Sequence, residues 1–119
     1  MAMILVVEDD QNVARLIGLV LQRSGHTSEL VRDGKTALDR VRSLQPAMIF
    51  ADLGISGLTG DALCSAIKSD PATREIPYVV VSGDPYIAEK AQGCGADDYM
   101  GKPFEFDDLI RLVNKYARD

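Results

Sequence analysis

The sequence is short of cysteine, of basic residues and of long apolar runs, and each shortage removes a class of protein. Cys64 and Cys94 are the only cysteines in 119 residues, and they lack the paired spacing of a zinc knuckle or a redox motif. Two buried, reduced thiols are expected, since free cysteine behaves as a small hydrophobe. Lys and Arg number 13 against 18 Asp and Glu, a net charge of −5. That is the wrong sign for neutralising a phosphate backbone or an anionic bilayer, so the expectation is no direct nucleic acid and no membrane insertion. The apolar runs fall far below the roughly 20 residues of a membrane helix. The N-terminus lacks a basic segment leading into a signal-like stretch, and a cytoplasmic protein is expected.

Hydrophobic residues make up 46% of the chain and charged residues 26%, which suits one packed domain over 1–119. Short solid apolar runs alternate with helical spacing. Met3–Val7 reads as a strand buried on both faces, and Val13, Leu16, Ile17, Val20 and Leu21 then mark a helix stripe. Gly25 closes that helix and Thr27–Val31 is a weaker strand. Asp33-Gly34 opens a second helix striped by Ala37, Leu38, Val41 and Leu44, which Pro46 stops. Ala47–Ala51 is a third buried run ending at Asp52. Thr59 is placed to cap a helix bearing Leu58, Ala62, Leu63, Ala66 and Ile67. Tyr78–Val81 is the fourth strand, and Asp84-Pro85 predicts a short helix from Pro85 to about Gln92. A brief strand near Tyr99-Met100 precedes a last helix striped by Phe106, Leu109, Ile110, Val113 and Tyr116. Five strand–helix alternations imply a parallel sheet with helices on both faces.

In such sheets the working residues stand just beyond the carboxyl ends of the strands. Those positions hold Glu8, Asp9 and Asp10, then Asp52, Ser82 and Lys102. Clustered carboxylates repel unless a cation relieves them, and an all-oxygen set suits Mg²⁺, with Asp9 and Asp52 the direct ligands. Asp52 is the candidate nucleophile, because an aspartate can accept a phosphoryl group as an acyl phosphate. Lys102 supplies positive charge and Ser82 a hydrogen-bond donor for phosphoryl oxygens. Asp10 reads better as the N-cap of the first helix, and His26 as a surface residue.

Rival phosphate chemistries fail on spacing. Between Gly95 and Gly101-Lys102 lies one residue too many for a phosphate-cradling loop, and Pro103 stands where its Ser or Thr belongs. Gly54, Gly57 and Gly60 do not follow the dinucleotide pattern. A haloacid-dehalogenase-like phosphatase needs a second Asp where Gly54 stands. A flavodoxin needs a hydroxyl-rich loop where Glu8, Asp9 and Asp10 stand.

The ordered set Ile4–Asp10, Asp52-Leu53 with Gly57 and Gly60, Ser82, Gly95–Tyr99 and Lys102-Pro103-Phe104 resembles the receiver domain of two-component response regulators, over essentially the whole chain. The resemblance implies a flavodoxin-like five-stranded sheet of order 2-1-3-4-5. It implies Glu8 and Asp9 as the acidic metal pair, Asp52 as phosphoacceptor, and the Gly54 backbone carbonyl as a further Mg²⁺ ligand. Lys102 corresponds to the active-site lysine, usually followed by a cis proline bond, and Ser82 and Tyr99 to the switch pair. A histidine kinase or histidine phosphotransfer protein would donate the phosphoryl group. A protein target would bind the face made by the fourth helix, fifth strand and fifth helix. The domain would assist its own phosphorylation and dephosphorylation without being an enzyme. The alternative is a binding module of the same fold that acts without phosphorylation.

Four positions depart from the family pattern. Gly54 replaces a larger side chain, and Ser56 replaces a frequent proline, which predicts a less rigid loop. Gly83 replaces a frequent alanine, and Asp84 adds an acid near the site.

Overall fold

The computed structural model describes residues 2–117. Its elements alternate strictly: β1 (Met3–Val7), α1 (Gln11–Arg23), β2 (Thr27–Val31), α2 (Gly34–Leu44), β3 (Met48–Asp52), α3 (Gly60–Ser69), β4 (Tyr78–Ser82), α4 (Ile87–Cys94), β5 (Asp98–Gly101) and α5 (Phe106–Tyr116). The five strands form one parallel sheet in the order β2-β1-β3-β4-β5.

Side chains of a strand point alternately to opposite faces, and the core divides accordingly. Leu5, Val7, Ile49, Ala51, Tyr78 and Val80 meet α2, α3 and α4 on one face. Ile4, Val6, Met48, Phe50, Val79 and Val81 meet α1 and α5 on the other. Burial on both faces is why β1, β3 and β4 read as solid apolar runs. β2 and β5 lie at the edges and are accordingly more polar.

Local chemistry sets most boundaries as expected. Asp10 caps α1, its Oδ1 accepting from the amides of Asn12 and Val13, and Asp33 caps α2 through the Thr36 amide. Gly25 takes the left-handed conformation after α1 (φ 88°). Thr59 stands at the N-cap of α3, yet its hydroxyl makes no capping bond.

Three expectations on helices need correction. α4 spans Ile87–Cys94, because Asp84 caps a preceding turn through the Tyr86 amide (2.8 Å) and Pro85 belongs to that turn. On α5 the buried stripe is Leu109, Leu112 and Val113, whereas Phe106 is half exposed. On α1 it is Ala14, Ile17 and Leu21, with Leu16 left outside. His26 is partly covered and structural, its Nδ1 accepting from the Ala2 amide.

A hydrogen-bonded hub ties the far end of the sheet. Lys68 Nζ donates to the carbonyls of Arg74 and Ile76 and to Asp97 Oδ2 (2.7 Å), and the same Asp97 oxygen accepts from the Tyr78 amide. Tyr78 itself is fully buried, its hydroxyl donating to the Gly60 carbonyl at 2.7 Å.

Candidate functional site

Register brings the polar residues to one sheet edge. Val7 pairs with Ala51, so the next residues, Glu8 and Asp52, are lateral neighbours. Asp52 pairs with Val81, and Ser82 with Gly101, beyond which the Lys102 amide donates to the Ser82 carbonyl. Residues 8, 52, 82 and 102 therefore stand one step past or at the end of four strands.

Carboxylate oxygens of Glu8, Asp9 and Asp52 lie within 4.8 Å of one another. Glu8 is almost fully buried (3% exposed), Asp52 is half-buried and Asp9 is exposed. Lys102 Nζ bridges the first two, 2.6 Å from Glu8 Oε1 and 3.1 Å from Asp52 Oδ2. Burial and the neighbouring Asp52 charge push the Glu8 carboxyl above its ordinary range, against the pull of Lys102. Burial opposes ionisation of Asp52 too, but its surroundings, among them hydrogen bonds from the Gly54 amide and Lys102, outweigh it and hold that carboxyl low. One amine bridges two of the three close acids, and hard oxygen donors in that number suit a small divalent cation.

The loop after Asp52 is held from both sides. The Gly54 amide donates to Asp52 Oδ1 at 3.2 Å. Ser56 forms a bridge with Asp33, and its carbonyl accepts from the Gly34 amide. The looser loop expected from the missing proline is therefore tied down by α2. At Gly60 a Cβ would fall 2.2 Å from the Asp52 carbonyl oxygen and 2.7 Å from the Leu53 Cα. Only glycine lets α3 start this close to the end of β3.

Ser82 is buried, and its Oγ accepts from the Asp84 amide at 3.0 Å. Asp84 faces α4, where its carboxylate pairs with Lys90. Tyr99 lies on edge strand β5 and is 46% exposed. The Lys102-Pro103 bond is cis.

A parallel five-stranded sheet carrying an acid triad and a bridging lysine at its carboxyl edge defines a receiver-type fold. The model of the response regulator receiver domain matches residues 4–114, and the chain belongs to that family. The response regulator ArlR of Staphylococcus epidermidis is 32% identical over 120 residues, covering 99% of this chain and 53% of that protein. The DNA-binding response regulator MtrA of Mycolicibacterium smegmatis is also 32% identical, covering 97% of this chain and 50% of that protein. The chain thus spans about half the length of these relatives. A relative that binds DNA removes support for excluding nucleic acid, since the charge argument concerns only the residues present here. The receiver domain of a sensor histidine kinase from Pseudomonas aeruginosa superposes with a TM-score of 0.90 at 24% identity, covering 98% of this chain and 97% of that one. That structure holds a magnesium ion in its active-site cleft. Among the described residues, no helix is long and apolar enough to cross a membrane.

Proposed function

We propose that residues 1–119 form one Mg²⁺-dependent phosphoacceptor domain in which Asp52 takes a phosphoryl group from the phosphohistidine of a kinase or phosphotransfer protein. The observation that carries this reading is Lys102 bridging Glu8 and Asp52 inside the three-acid group. Glu8, Asp9, Asp52 and the Gly54 carbonyl would hold the metal, which supplies positive charge that lets an anionic phosphoryl group approach a carboxylate. The magnesium in the Pseudomonas relative supports the assignment.

A carboxylate oxygen of Asp52 attacks phosphorus in line, the P–N bond breaks, and its electron pair returns to the donor imidazole. Lys102 moves its amine toward the transferred oxygens, and the Ser82 hydroxyl turns to donate to them. Water later attacks the acyl phosphate and restores Asp52. While the phosphoryl group is in place, the movement of Ser82 toward it lets Tyr99 turn inward, which remodels the face of α4, β5 and α5 for a protein target. Cytoplasmic placement is part of the same reading.

The test is labelling with a small phosphodonor. Stoichiometric acyl phosphate should form only with Mg²⁺ and be absent in Asp52→Asn. Asp9→Asn should first weaken Mg²⁺ affinity, about tenfold for one lost carboxylate ligand, with the acceptor still labelled at saturating metal. Folded wild-type protein that takes no label under these conditions would point to a module acting without phosphorylation.

A further inference from the structure

Cys64 and Cys94, distant in sequence, meet between α3 and α4. Cys64 Sγ lies 3.3 Å from the Cys94 carbonyl oxygen, and Cys94 Sγ lies 3.4 Å from that of Ala91. The Cys64 thiol therefore packs directly on the Cys94 residue, and both side chains belong to the same buried cluster between sheet and helices. Both are reduced, Cys64 fully buried and Cys94 8% exposed at the end of α4. Gly93 and Gly95 flank Cys94, and neither has a side chain to cover it. We infer that Cys64 and Cys94 form an oxidisable dithiol, a modification site whose disulfide clamps the C-terminal end of α4 to the middle of α3.

The asymmetry in exposure sets the order of steps. The oxidant class is a hydroperoxide. Cys94 sulfur attacks its terminal oxygen, the O–O bond breaks, and the alcohol or water leaves with the thiol proton, giving a sulfenic acid. Cys64 sulfur then displaces the hydroxyl from Cys94. The S–O bond breaks, the S–S bond forms, and the Cys64 proton departs with the hydroxyl as water. Two electrons pass from the sulfurs to the peroxide. Burial pushes the Cys64 thiol up, so it suits the second, resolving role, in which an activated sulfur is already beside it.

The consequence falls on α4, where no side-chain cap is present and the left-handed Gly95 (φ 84°) leads directly into β5 and Tyr99. A covalent link from Cys94 to α3 restrains that helix end in whatever state the acceptor site holds.

The experiment treats the reduced, full chain with hydrogen peroxide, then counts thiols after denaturation and maps peptides by mass. Both thiols should vanish together with loss of two hydrogens from a monomer, and a reductant should restore them. Cys64→Ser should stop at a Cys94 sulfenic acid that dimedone traps, and Cys94→Ser should react about tenfold more slowly at Cys64. Amide exchange in α4 should slow about tenfold in the oxidised chain. Two free thiols after treatment, over-oxidised Cys94 beside intact Cys64, a disulfide between chains, or bridging only in denaturant would overturn the site. Unchanged exchange in a bridged protein would overturn the clamp.

Discussion

Lys102 sits closer to Glu8 than to Asp52, 2.6 Å against 3.1 Å. The amine is thus held chiefly by the more buried acid, which leaves the more accessible carboxylate less engaged. Under the proposed function, phosphorylation of Asp52 would require Lys102 to exchange one carboxylate for phosphoryl oxygens, and Glu8 would lose its main counter-ion to the transferred group. A divalent cation beside Glu8 would compensate that loss.

The same arrangement makes Glu8 costly to the fold. Its carboxyl is raised by burial and by the Asp52 charge, so the folded chain disfavours its ionised form. Glu8→Gln removes that disfavoured charge and should raise the urea midpoint of the cation-free protein while weakening Mg²⁺ binding. Urea titrations with and without Mg²⁺ check both signs.

Gly54 concerns lifetime. A Cβ there meets nothing within 4 Å, so larger side chains fit without disturbing the loop. Gly54→Met or Gly54→Arg should shield an acyl phosphate on Asp52 from in-line water and lengthen its life several-fold, on the order of 1 kcal/mol in barrier. Asp84 is engaged by Lys90 and by the Tyr86 amide, which limits its competing influence on that water. Decay of labelled protein at saturating Mg²⁺ is the measurement, and equal or faster loss would show that access at residue 54 does not set the rate.

Two glycines should respond oppositely to alanine. Gly60→Ala drives a methyl into the backbone of Asp52 and Leu53 and should cost about 3 kcal/mol, the upper end for overpacking. Gly93→Ala, inside α4 with open space around it, should gain about 0.5–1 kcal/mol from helix propensity. Thermal or denaturant midpoints decide each.

Asp98 supplies the pH dependence. Burial opposes its ionisation, but the Tyr99 amide, the Tyr116 hydroxyl (2.8 Å) and Lys115 prevail, and the carboxyl lies below the ordinary 3.8. A group depressed on folding contributes its full stabilisation above the unfolded value and loses it as pH falls through the folded one. The tie between β5 and the end of α5 should therefore hold through neutral pH and release only below pH 3.8. Tyr116 ring shifts followed by NMR should move there, and Asp98→Asn should remove the transition.

Much of this was legible in the sequence because the strands buried on both faces announce themselves, and the parallel topology then places Glu8, Asp52, Ser82 and Lys102 at one edge. Edges of helices were harder. Phe106 carries the right period yet sits at the open N-terminal turn of α5, while Leu112, three residues after Leu109 and on the same face, is buried although the stripe expected from the sequence omits it. The partner of Asp84 was not legible, since Lys90 comes into reach only once a turn precedes α4. The meeting of Cys64 with Cys94 depends on how two helices pack over the sheet, for which no local pattern exists.

Tyr78, sealed beneath α3 with its hydroxyl on Gly60, also gives the molecule an internal optical clock. The chain has no tryptophan and four tyrosines, so phenol rings dominate its near-ultraviolet absorbance and emission. Burial raises the Tyr78 phenol well above its ordinary range. In alkali its phenolate band appears only as fast as α3 lifts from β4, and a pH jump reads that opening rate without any label.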